Sequence, residues 1–504
     1  MSNPQLHAFF EKLSAQGLMV TYDDVRLRTK HSEVLPSQTD VRTRFSRRIT
    51  LNIPIVSSPM DTVTTSAMAI GMAEAGGIGI IHRGLSPEAQ AKEVARVKHH
   101  LNGRIKTPIT VRADMQVEEI ISMREEKGYS FHTLPVVDDK QKVIGLLTRN
   151  DFDFCTDPTK EARAIMTPFA DLTKASPEIE AREAYELLLS SKKKVLPLVD
   201  KDGTLAGMYI FSDLKRIFSQ GNECTVDAEG QLVVGAAVGV GEGALKRAEL
   251  LAIEKCDVFH IDTAHGDSKA VIDTIVSLKK KYPAVDVAAG NVSSGVSAKH
   301  LTDVGADAVL VGQGPGSICT TRIVAGVGVP QVSAMYECAQ ALEGSGVPVI
   351  ADGGINNSGD MVIALAVGAS SVMLGRLLAG TEEAPGETRF FQGMQIKDYR
   401  GMGSLGAMRA NASSRERYGQ AHTASVKLVP EGIEGIVPYK GSVKSVLDQY
   451  VGGIRAGMGY NGAKTIANLQ QVAELFRIST AGLTESHPHD VHLTAQAPNY
   501  HGRV

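Results

Sequence analysis

A single cysteine in a glycine-rich loop is the clearest candidate for chemistry in this sequence. Residues 311–322 read VGQGPGSICTTR and follow an apolar run, 308–311, that predicts a buried strand. Glycine permits unusual backbone dihedrals and proline restricts them, so the loop can hold a thiol nucleophile in place. A tight turn around an inert cysteine is the alternative. The polar and cationic neighbours Thr320, Thr321 and Arg322 favour a thiolate and hence function.

Other polar, glycine-rich segments also follow apolar runs, where each predicted strand ends. They comprise 57–60, 262–266, 289–292, 352–355 and 375–376. The glycines at 353, 354 and 375 suit an anion held by backbone N–H groups, although each could be a plain turn. Asp352 directly follows its strand and could accept two sugar hydroxyls.

The apolar runs themselves predict the scaffold. They cover 53–56, 78–81, 232–237, 258–262, 285–289, 308–311, 347–351 and 371–374, with helical stretches between them. Alternating strands and helices indicate a parallel sheet, and eight such units indicate a closed (β/α)8 TIM barrel. All the polar loops would then meet at one face, with the phosphate position after strands seven and eight. A doubly wound open sheet is the alternative, but no GxGxxG follows the first strand.

An internal repeat interrupts the barrel pattern after its second unit. The segment from Leu134 to Gly145 and Asp151 recurs from Leu196 to Gly207 and Asp213, with an offset of 62 residues. Each copy predicts helix, strand, turn, strand and helix, so two similar units pack together. The predicted domains are 1–105, the first part of the barrel, 106–220, the inserted pair, and 221–504, the rest of the barrel with a flap and C-terminal segment. The pair resembles tandem CBS domains, which commonly bind adenine or guanine nucleotides, but it could be purely structural.

Composition narrows the class of protein further. The chain has 504 residues and a net charge of −3, which gives no basic field for nucleic acid or membrane. Five scattered cysteines without zinc spacing indicate a reducing compartment. Neither a signal peptide nor a long apolar span is evident, so we expect a cytoplasmic protein.

The loop motifs together resemble the family of inosine 5′-monophosphate (IMP) dehydrogenases and GMP reductases. The resemblance lies in 314–322 (GPGSICTTR), 399–404 (YRGMGS) and 431–432 (EG), together with the inserted pair, and it covers nearly the whole chain. The flap segment 401–408, the pair Arg417 and Tyr418, and residues 430–435 resemble the dehydrogenases. A GMP reductase that uses NADPH and a non-catalytic nucleotide sensor remain the alternatives.

The resemblance implies an NAD-dependent oxidation of IMP to xanthosine 5′-monophosphate (XMP), the committed step of guanine nucleotide synthesis. Cys319 would attack C2 of the purine, and hydride would pass to NAD+, which leaves a thioimidate. The flap with Arg417 and Tyr418 would then enter the vacated nicotinamide site and activate water, which Thr321 would orient or deprotonate. Arginine is normally protonated, so an arginine base needs a special site or a relay partner.

The resemblance also implies the binding residues. For IMP these are Ser58, Met60, Ser317, Asp352, Gly354, Gly375, Arg376, Tyr399, Met402, Gly403 and Glu431. For the cofactor they are Asp262, Asn291, Gly312 and Gly314. Many relatives have serine in place of Arg376, so its contact with phosphate is an open question. Gln313 and Gly419 are locally unusual and receive no role.

A monovalent cation and an oligomer follow from the same resemblance. Backbone carbonyls of Gly314, Gly316 and Cys319 would bind the cation, expected to be K+, and Glu485, Ser486 and His487 of a neighbouring subunit would complete the site. The implied assembly is a homotetramer, and the CBS pair can join two tetramers into an octamer. ATP, GTP or related purine nucleotides are the implied ligands of the CBS pair.

Overall fold

The computed structural model describes residues 3–101, 104–126, 129, 131–219, 224–491, 497 and 499–500. They form two compact units, one comprising Met1–Lys98 with Leu232–Val504 and the other His99–Gln231. The second unit thus begins before and ends after the predicted insertion, 106–220. In the part of the chain that the structure describes, no helix combines the length and apolar character needed to cross a membrane.

Eight parallel strands of the first unit close into a barrel, which confirms the predicted fold and excludes the open sheet. Its strands are β1 (Ile55–Ser57), β2 (Ile78–Ile81), β3 (Val234–Val238), β4 (Val258–Asp262), β5 (Asp286–Val292), β6 (Ala308–Val311), β7 (Val349–Asp352) and β8 (Ser371–Leu374). Strand β8 pairs with β1, and β2 pairs directly with β3. Because helices cover the outside and side chains fill the inside, the strands are apolar on both faces, as in the fully buried β6.

The predicted strand bounds differ from the observed ones at β1, β3, β5 and β7. Strand β5 runs to Val292 rather than 289, because Gly290 pairs with Asp262 and Leu310 and, after a register shift, Val292 pairs with Val311. Asn291 therefore lies on a strand and not in the following loop. Strand β1 begins at Ile55 because Pro54 has no N–H to donate to a ladder.

Helices surround the barrel in the usual alternation. They are α1 (Ser66–Glu74), α2 (Pro87–Lys98), α3 (Gly241–Ile253), α4 (Lys269–Lys281), α5 (Gly295–Asp303), α6 (Gln331–Ala341), α7 (Ser358–Ala366) and α8 (Val443–Tyr460). Helix α8 packs against both α7 and α1 and so completes the ring. Between β8 and α8 lies a long excursion with the short helix Arg376–Ala379, the strands Arg389–Phe391, Met394–Arg400 and Glu434–Pro438, and the helices Leu405–Ala410 and Ala412–Arg417.

The core of the first unit fills the inside of the barrel. A cluster of buried apolar side chains takes at least one member from each of β1 to β8, among them Val56, Ile80, Leu310 and Met373. Outside the barrel, Val25–Leu27 pairs antiparallel with Leu475–Arg477, so the N-terminal and C-terminal segments support each other. The helices Pro4–Ala15, Ile466–Val472 and Thr480–Glu485 flank these segments in sequence. The packed interior is a rigid base for the loops at the carboxyl ends of the strands.

The second unit contains two hairpins that repeat the same register. Leu134–Val137 pairs with Val143–Leu147, and Val195–Val199 pairs with Leu205–Ile210. Gly145 lies opposite Val136, and Gly207 lies opposite Leu198, so the offset of 62 residues seen in sequence holds in the pairing. The unit also contains the helices Val117–Glu126, Arg149–Asp153, Ala162–Ile165, Ala181–Ser191 and Phe211–Ser219, and the strands Val111–Arg112 and Thr167–Pro168.

Candidate active site

The loops at the carboxyl ends of the barrel strands enclose a cavity of about 270 Å3. Most of the residues that the sequence predicts for one subunit line it. They are Ser58, Met60, Asp262, Asn291, Gly312, Gly314, Gly316, Ser317, Cys319, Asp352, Gly354, Gly375, Arg376, Tyr399, Met402, Arg417, Tyr418 and Glu431. Thr321 and Gly403 lie directly behind this lining, against Cys319 and Tyr418.

The Cys319 loop is held at both ends. Gly312 has a φ of +147°, and a Cβ there would come within 2.0 Å of the Asp352 carbonyl oxygen, so only glycine fits. The Cys319 N–H donates to the Gly316 carbonyl over 3.0 Å, and the Thr320 N–H donates to the Glu431 carbonyl over 3.0 Å. The thiol of the partly exposed Cys319 lies 3.1 Å from the hydroxyl of Thr321. A nucleophile at the cavity therefore has beside it a hydroxyl that can relay a proton.

Arg322 acts mainly as a clamp for this loop. Its Nε donates to the Gln313 carbonyl over 3.0 Å, and its Nη2 donates to the Val329 carbonyl over 2.5 Å. Burial lowers the pKa of Arg322, while the charge of Cys319 opposes that shift. The expected cationic neighbour of the thiol is present, but its N–H groups are committed to the backbone.

Arg417 and Tyr418 reach the same cavity from the helix Ala412–Arg417. A guanidinium nitrogen of Arg417 makes an ion pair with the Asp262 carboxylate, and the Arg417 carbonyl accepts from the Ala264 N–H over 3.3 Å. Burial lowers the pKa of Arg417, and nearby Arg83 lowers it further against an opposing contribution from Tyr418. Burial also raises the pKa of Tyr418. Burial and Arg83 thus favour proton loss from Arg417, whereas the ion pair with Asp262 favours its protonated form.

A buried carboxylate lies across the cavity. The side-chain amide of Asn291 donates over 2.7 Å to the Asp352 carboxylate and over 2.8 Å to the Gly312 carbonyl. Burial raises the pKa of Asp352 to about 6, partly offset by the Asn291 hydrogen bond. Gln331, which sequence reasoning missed, donates over 2.7 Å to the Val311 carbonyl and over 3.2 Å to the Asp352 carbonyl. Asn291 thus holds the carboxylate of Asp352, and Gln331 holds its backbone.

The predicted phosphate end is narrow and rich in backbone donors. Gly353 and Gly354 have φ values of +91° and +76°. A Cβ on Gly375 would lie 3.0 Å from both the Met60 sulfur and the Tyr399 hydroxyl. Burial raises the pKa of Tyr399 to about 12, against a hydrogen bond with Ser317. The Tyr399 O–H therefore stays protonated and can donate to an anion.

Arg376 and the C-terminal residues complete the comparison with the sequence predictions. Arg376 Nη2 donates to the Asn356 side chain over 2.9 Å at the edge of the cavity. Glu485, Ser486 and His487 do not line this cavity; the last two line a second one of about 980 Å3, which Ser317 of the Cys319 loop also borders. Their role in a neighbouring subunit stays a prediction.

Two further residues face the cavity or its rim without having been predicted. His260 lies two positions before Asp262 on β4, so both point to the same side of the strand. Burial first, then Arg417 and Arg83, lower the pKa of His260 to about 3, and its Nδ1 has no partner among the described residues. Arg83 follows β2 and contacts Glu416 beside Arg417. Period-two spacing could have indicated His260, whereas nothing local indicates the Arg83 contact.

A partly exposed thiol, a carboxylate at a strand end and positive-φ glycines on the carboxyl face of a TIM barrel are typical of an enzyme that transforms a phosphorylated small molecule. Comparison with known proteins narrows this class. A family model described as "IMP dehydrogenase / GMP reductase domain" matches residues 19–489, and the chain belongs to that family.

The chain is similar to curated relatives over almost its full length. Inosine-5′-monophosphate dehydrogenase of Aquifex aeolicus is 51% identical over 97% of this chain and 99% of the relative. The enzymes of that name from Halalkalibacterium halodurans and Escherichia coli are 47% and 46% identical over 97% and 95% of this chain, and over 99% and 98% of theirs. A solved GMP reductase variant from Trypanosoma brucei, in complex with guanosine 5′-monophosphate, has a TM-score of 0.83 at 38% identity, over 94% of this chain and 98% of that chain.

Proposed function

We propose that this protein oxidises IMP to XMP with NAD+ in the cytoplasm, through a covalent bond between Cys319 and C2 of the purine. The observation that carries the proposal is that Cys319 shares one cavity with Arg417 and Tyr418. An oxidation through a covalent thioimidate must activate water after hydride transfer, and a buried arginine with a lowered pKa can serve that second step.

The chain's own groups can support each step. The Cys319 thiolate adds to C2, and the hydrogen at C2 leaves with its electron pair for the nicotinamide ring, so the purine is oxidised and NAD+ is reduced. Water then adds to C2 of the thioimidate while Arg417, in its neutral form, takes the water proton, helped by the Thr321 hydroxyl. The C–S bond breaks, Cys319 leaves as the thiol after proton return from Arg417, and XMP is released. The contact between Arg417 and Asp262 supports a flap position that serves the hydrolytic step.

The binding groups fit the two nucleotides. Asp352 would accept the ribose hydroxyls, Tyr399, Ser317 and the glycines 354 and 375 would hold the phosphate, and Glu431 would accept from N1–H. Ser58, Met60, Met402 and Gly403 would line the base. Asp262, Asn291, Gly312 and Gly314 would contact NAD+. Asp262 would contact NAD+ during hydride transfer and Arg417 during hydrolysis. The two steps would therefore use the same part of the cavity in turn.

A monovalent cation fits the loop by the chemistry of its donors. Backbone carbonyls of Gly314, Gly316 and Cys319 suit a hard, singly charged ion such as K+, which would fix the loop around the thiol. Among the described residues, no cluster of three His, Cys, Asp or Glu side chains could instead hold a divalent metal. Glu485, Ser486 and His487 of a neighbouring subunit would complete the site in a homotetramer.

The second unit would be the regulatory part. Its repeated hairpins support the interpretation of 106–220 as a tandem CBS pair between the two parts of the barrel. The pair would bind ATP, GTP or related purine nucleotides and could join tetramers into octamers. Unchanged activity, thermal stability and assembly with these nucleotides would contradict this role.

A GMP reductase using NADPH is the second candidate, because the solved relative carries that name. The two functions separate in one assay. We expect formation of NADH at 340 nm from IMP and NAD+ in K+ buffer, and none with Cys319→Ala. Consumption of NADPH with GMP, and no NADH from IMP, would favour the reductase. Activity in Cys319→Ala would show that the nucleophile is misassigned.

A further inference from the structure

Arg83 lies at the carboxyl end of β2, beneath the flap, and is 5% exposed. Its Nη1 is 3.0 Å from a carboxylate oxygen of Glu416, and its Nη2 is 3.5 Å from the Asp262 carbonyl oxygen. Glu416 directly precedes Arg417, whose guanidinium pairs with the Asp262 carboxylate. One buried guanidinium thus contacts both the residue before the base and the residue that the base binds.

The surroundings leave Arg83 little freedom. A Cβ on Gly239 would lie 3.0 Å from Arg83 Nη1, so the backbone of the segment after β3 borders the guanidinium directly. Arg247, a half-buried cation nearby, donates over 2.8 Å to the Gln90 side chain and over 3.0 Å to the Leu85 carbonyl. The guanidinium of Arg83 is therefore held in place at the barrel rim, and the Glu416 carboxylate of the flap contacts it there.

Glu416 belongs to the other side of this contact. Its side chain is 52% exposed and sits on the six-residue helix Ala412–Arg417. The backbone of this helix is linked to the barrel rim by a hydrogen bond of 3.3 Å from the Ala264 N–H to the Arg417 carbonyl. Because a six-residue helix has little stability of its own, a charge pair at its last turn can decide where Arg417 rests.

We propose that Arg83 is a positioning residue for the hydrolytic half of the reaction: it holds Glu416 so that Arg417 stands against Asp262 and Cys319. The inference rests on the proposed function, since it assigns Arg83 to one of that reaction's two steps. During hydride transfer the flap is withdrawn, and Arg83 and Glu416 are then apart. The rate of hydride transfer therefore does not depend on this pair. The attack of water, which needs the flap in place, does depend on it.

The two steps can be measured separately. In rapid mixing of enzyme with IMP and NAD+, the first turnover of NADH reports hydride transfer and the steady state reports hydrolysis. For Arg83→Gln we expect an unchanged burst rate, a burst amplitude nearer one NADH per site, and a steady-state kcat about tenfold lower, as for loss of one half-exposed charge pair. Arg83→Lys should recover part of kcat, because an ammonium can still pair with Glu416.

A double-mutant cycle tests whether the two residues act as a pair. Glu416→Gln should reproduce the Arg83→Gln effect, and the double variant should be no slower than either single variant. The matched control is Lys281 and Glu249, an ion pair 2.9 Å long on the outside of the barrel, whose variants Lys281→Gln and Glu249→Gln should leave burst and kcat unchanged. The proposal would be wrong if the kcat reductions of the two single variants multiplied in the double variant. It would also be wrong if Arg83→Gln slowed hydride transfer as much as it lowered kcat.

A second readout keeps this test separate from the proposed function. Hydrogen exchange of the Ala412–Arg417 amides in the ligand-free protein needs no activity, and Arg83→Gln should lower their protection while Lys281→Gln should not. If the amide protection is unchanged in Arg83→Gln, the inference is wrong, whatever the kinetic assay shows. Absence of NADH from IMP in the wild type would instead count against the proposed function, and protection would still decide whether Arg83 holds the flap.

Discussion

At the scale of single residues, the cavity contains the Asp352 carboxylate, whose ionised form lowers the stability of the folded protein. Asp352 is half-buried in the lining of the cavity, and burial raises its pKa from about 3.8 to about 6. Because the folded pKa lies above the unfolded one, the carboxylate destabilises the protein when it ionises. Stability from this group is present below pH 3.8 and is lost as the pH rises through 6. A buried acceptor of this kind is the expected cost of a site that binds ribose hydroxyls.

We therefore predict that Asp352→Asn stabilises the ligand-free protein at pH 8 by up to about 3 kcal/mol, the value of two pKa units. The gain should shrink at pH 5, where the wild-type group is largely protonated. Urea unfolding at both pH values measures it. The exposed Asp273, paired with Lys269 on α4, provides the control variant Asp273→Asn, which should change stability little at either pH.

The same substitution should raise the KM for IMP roughly 100-fold, through weaker hydrogen bonds to two hydroxyls. A variant that is more stable at pH 8 and yet binds IMP poorly would show that Asp352 serves the ligand and not the fold. Equal stability of Asp352→Asn and wild type at pH 8 would contradict the assigned burial energy.

Individual residue types were predictable where the chemistry was local. Cys319 and Thr321 are two positions apart, and Asp352 ends a strand, so short-range patterns suffice. Arg83 and Glu416 are 333 positions apart in sequence, and their contact exists only because β2 and the flap meet at the rim. The same holds for the pKa shifts, since they depend on burial, which no local pattern fixes.

At the scale of elements, the loop after β6 depends on one glycine. Gly312 combines a φ of +147° with a neighbouring carbonyl 2.0 Å from the position of a Cβ. Gly326, 14 positions further on, has a φ of +70° but nothing within 4 Å of a Cβ. Substitution of either glycine would strain the backbone, but only at Gly312 would a Cβ also meet another atom. A comparison of the two variants therefore separates the effect of strain from the effect of the contact.

We predict that Gly312→Ala lowers kcat/KM for IMP by at least about 100-fold, since displacement of a reacting group by about 1 Å has that effect. Gly326→Ala should keep turnover and cost only about 1–2 kcal/mol of stability, the usual cost of a left-handed residue. Steady-state kinetics and thermal unfolding of both variants test this. Similar losses of activity in the two variants would mean that strain, and not the contact with Asp352, sets the loop position.

The elements of the barrel were predicted closely because each strand is an apolar run and each helix has its own periodicity. Strands β2, β4, β6 and β8 begin and end at the predicted residues. Strand β5 was underestimated because the glycine and asparagine at 290 and 291 appear as a loop in sequence, whereas pairing with β4 and β6 keeps them extended. Strand Glu434–Pro438 of the flap excursion is mostly exposed, so its apolar pattern is weak.

At the scale of the whole molecule, every candidate site residue lies in the first unit, outside His99–Gln231. The barrel also closes without the second unit, since Val234, Gly235 and Ala236 pair directly with residues 79–81 of β2. At the junction, Lys98 pairs with Asp257 over 2.6 Å inside the first unit. Repeat spacing and the alternation of strands and helices predicted this division, because both are local patterns. Pairing of Val25–Leu27 with Leu475–Arg477 was not predictable, since it joins the two ends of the chain.

We therefore predict that a variant in which a short glycine–serine linker replaces 99–231 retains the kcat and the KM values of the full chain for IMP and NAD+. Any response to ATP or GTP should disappear, because the nucleotide site is assigned to the repeated hairpins. Steady-state kinetics with and without each nucleotide, together with light scattering for assembly, measure both effects. Inactivity of a folded, correctly assembled deletion variant would show that the second unit takes part in catalysis. A nucleotide response that survives the deletion would place its site on the barrel, where Arg376 and the second cavity would be the first positions to substitute.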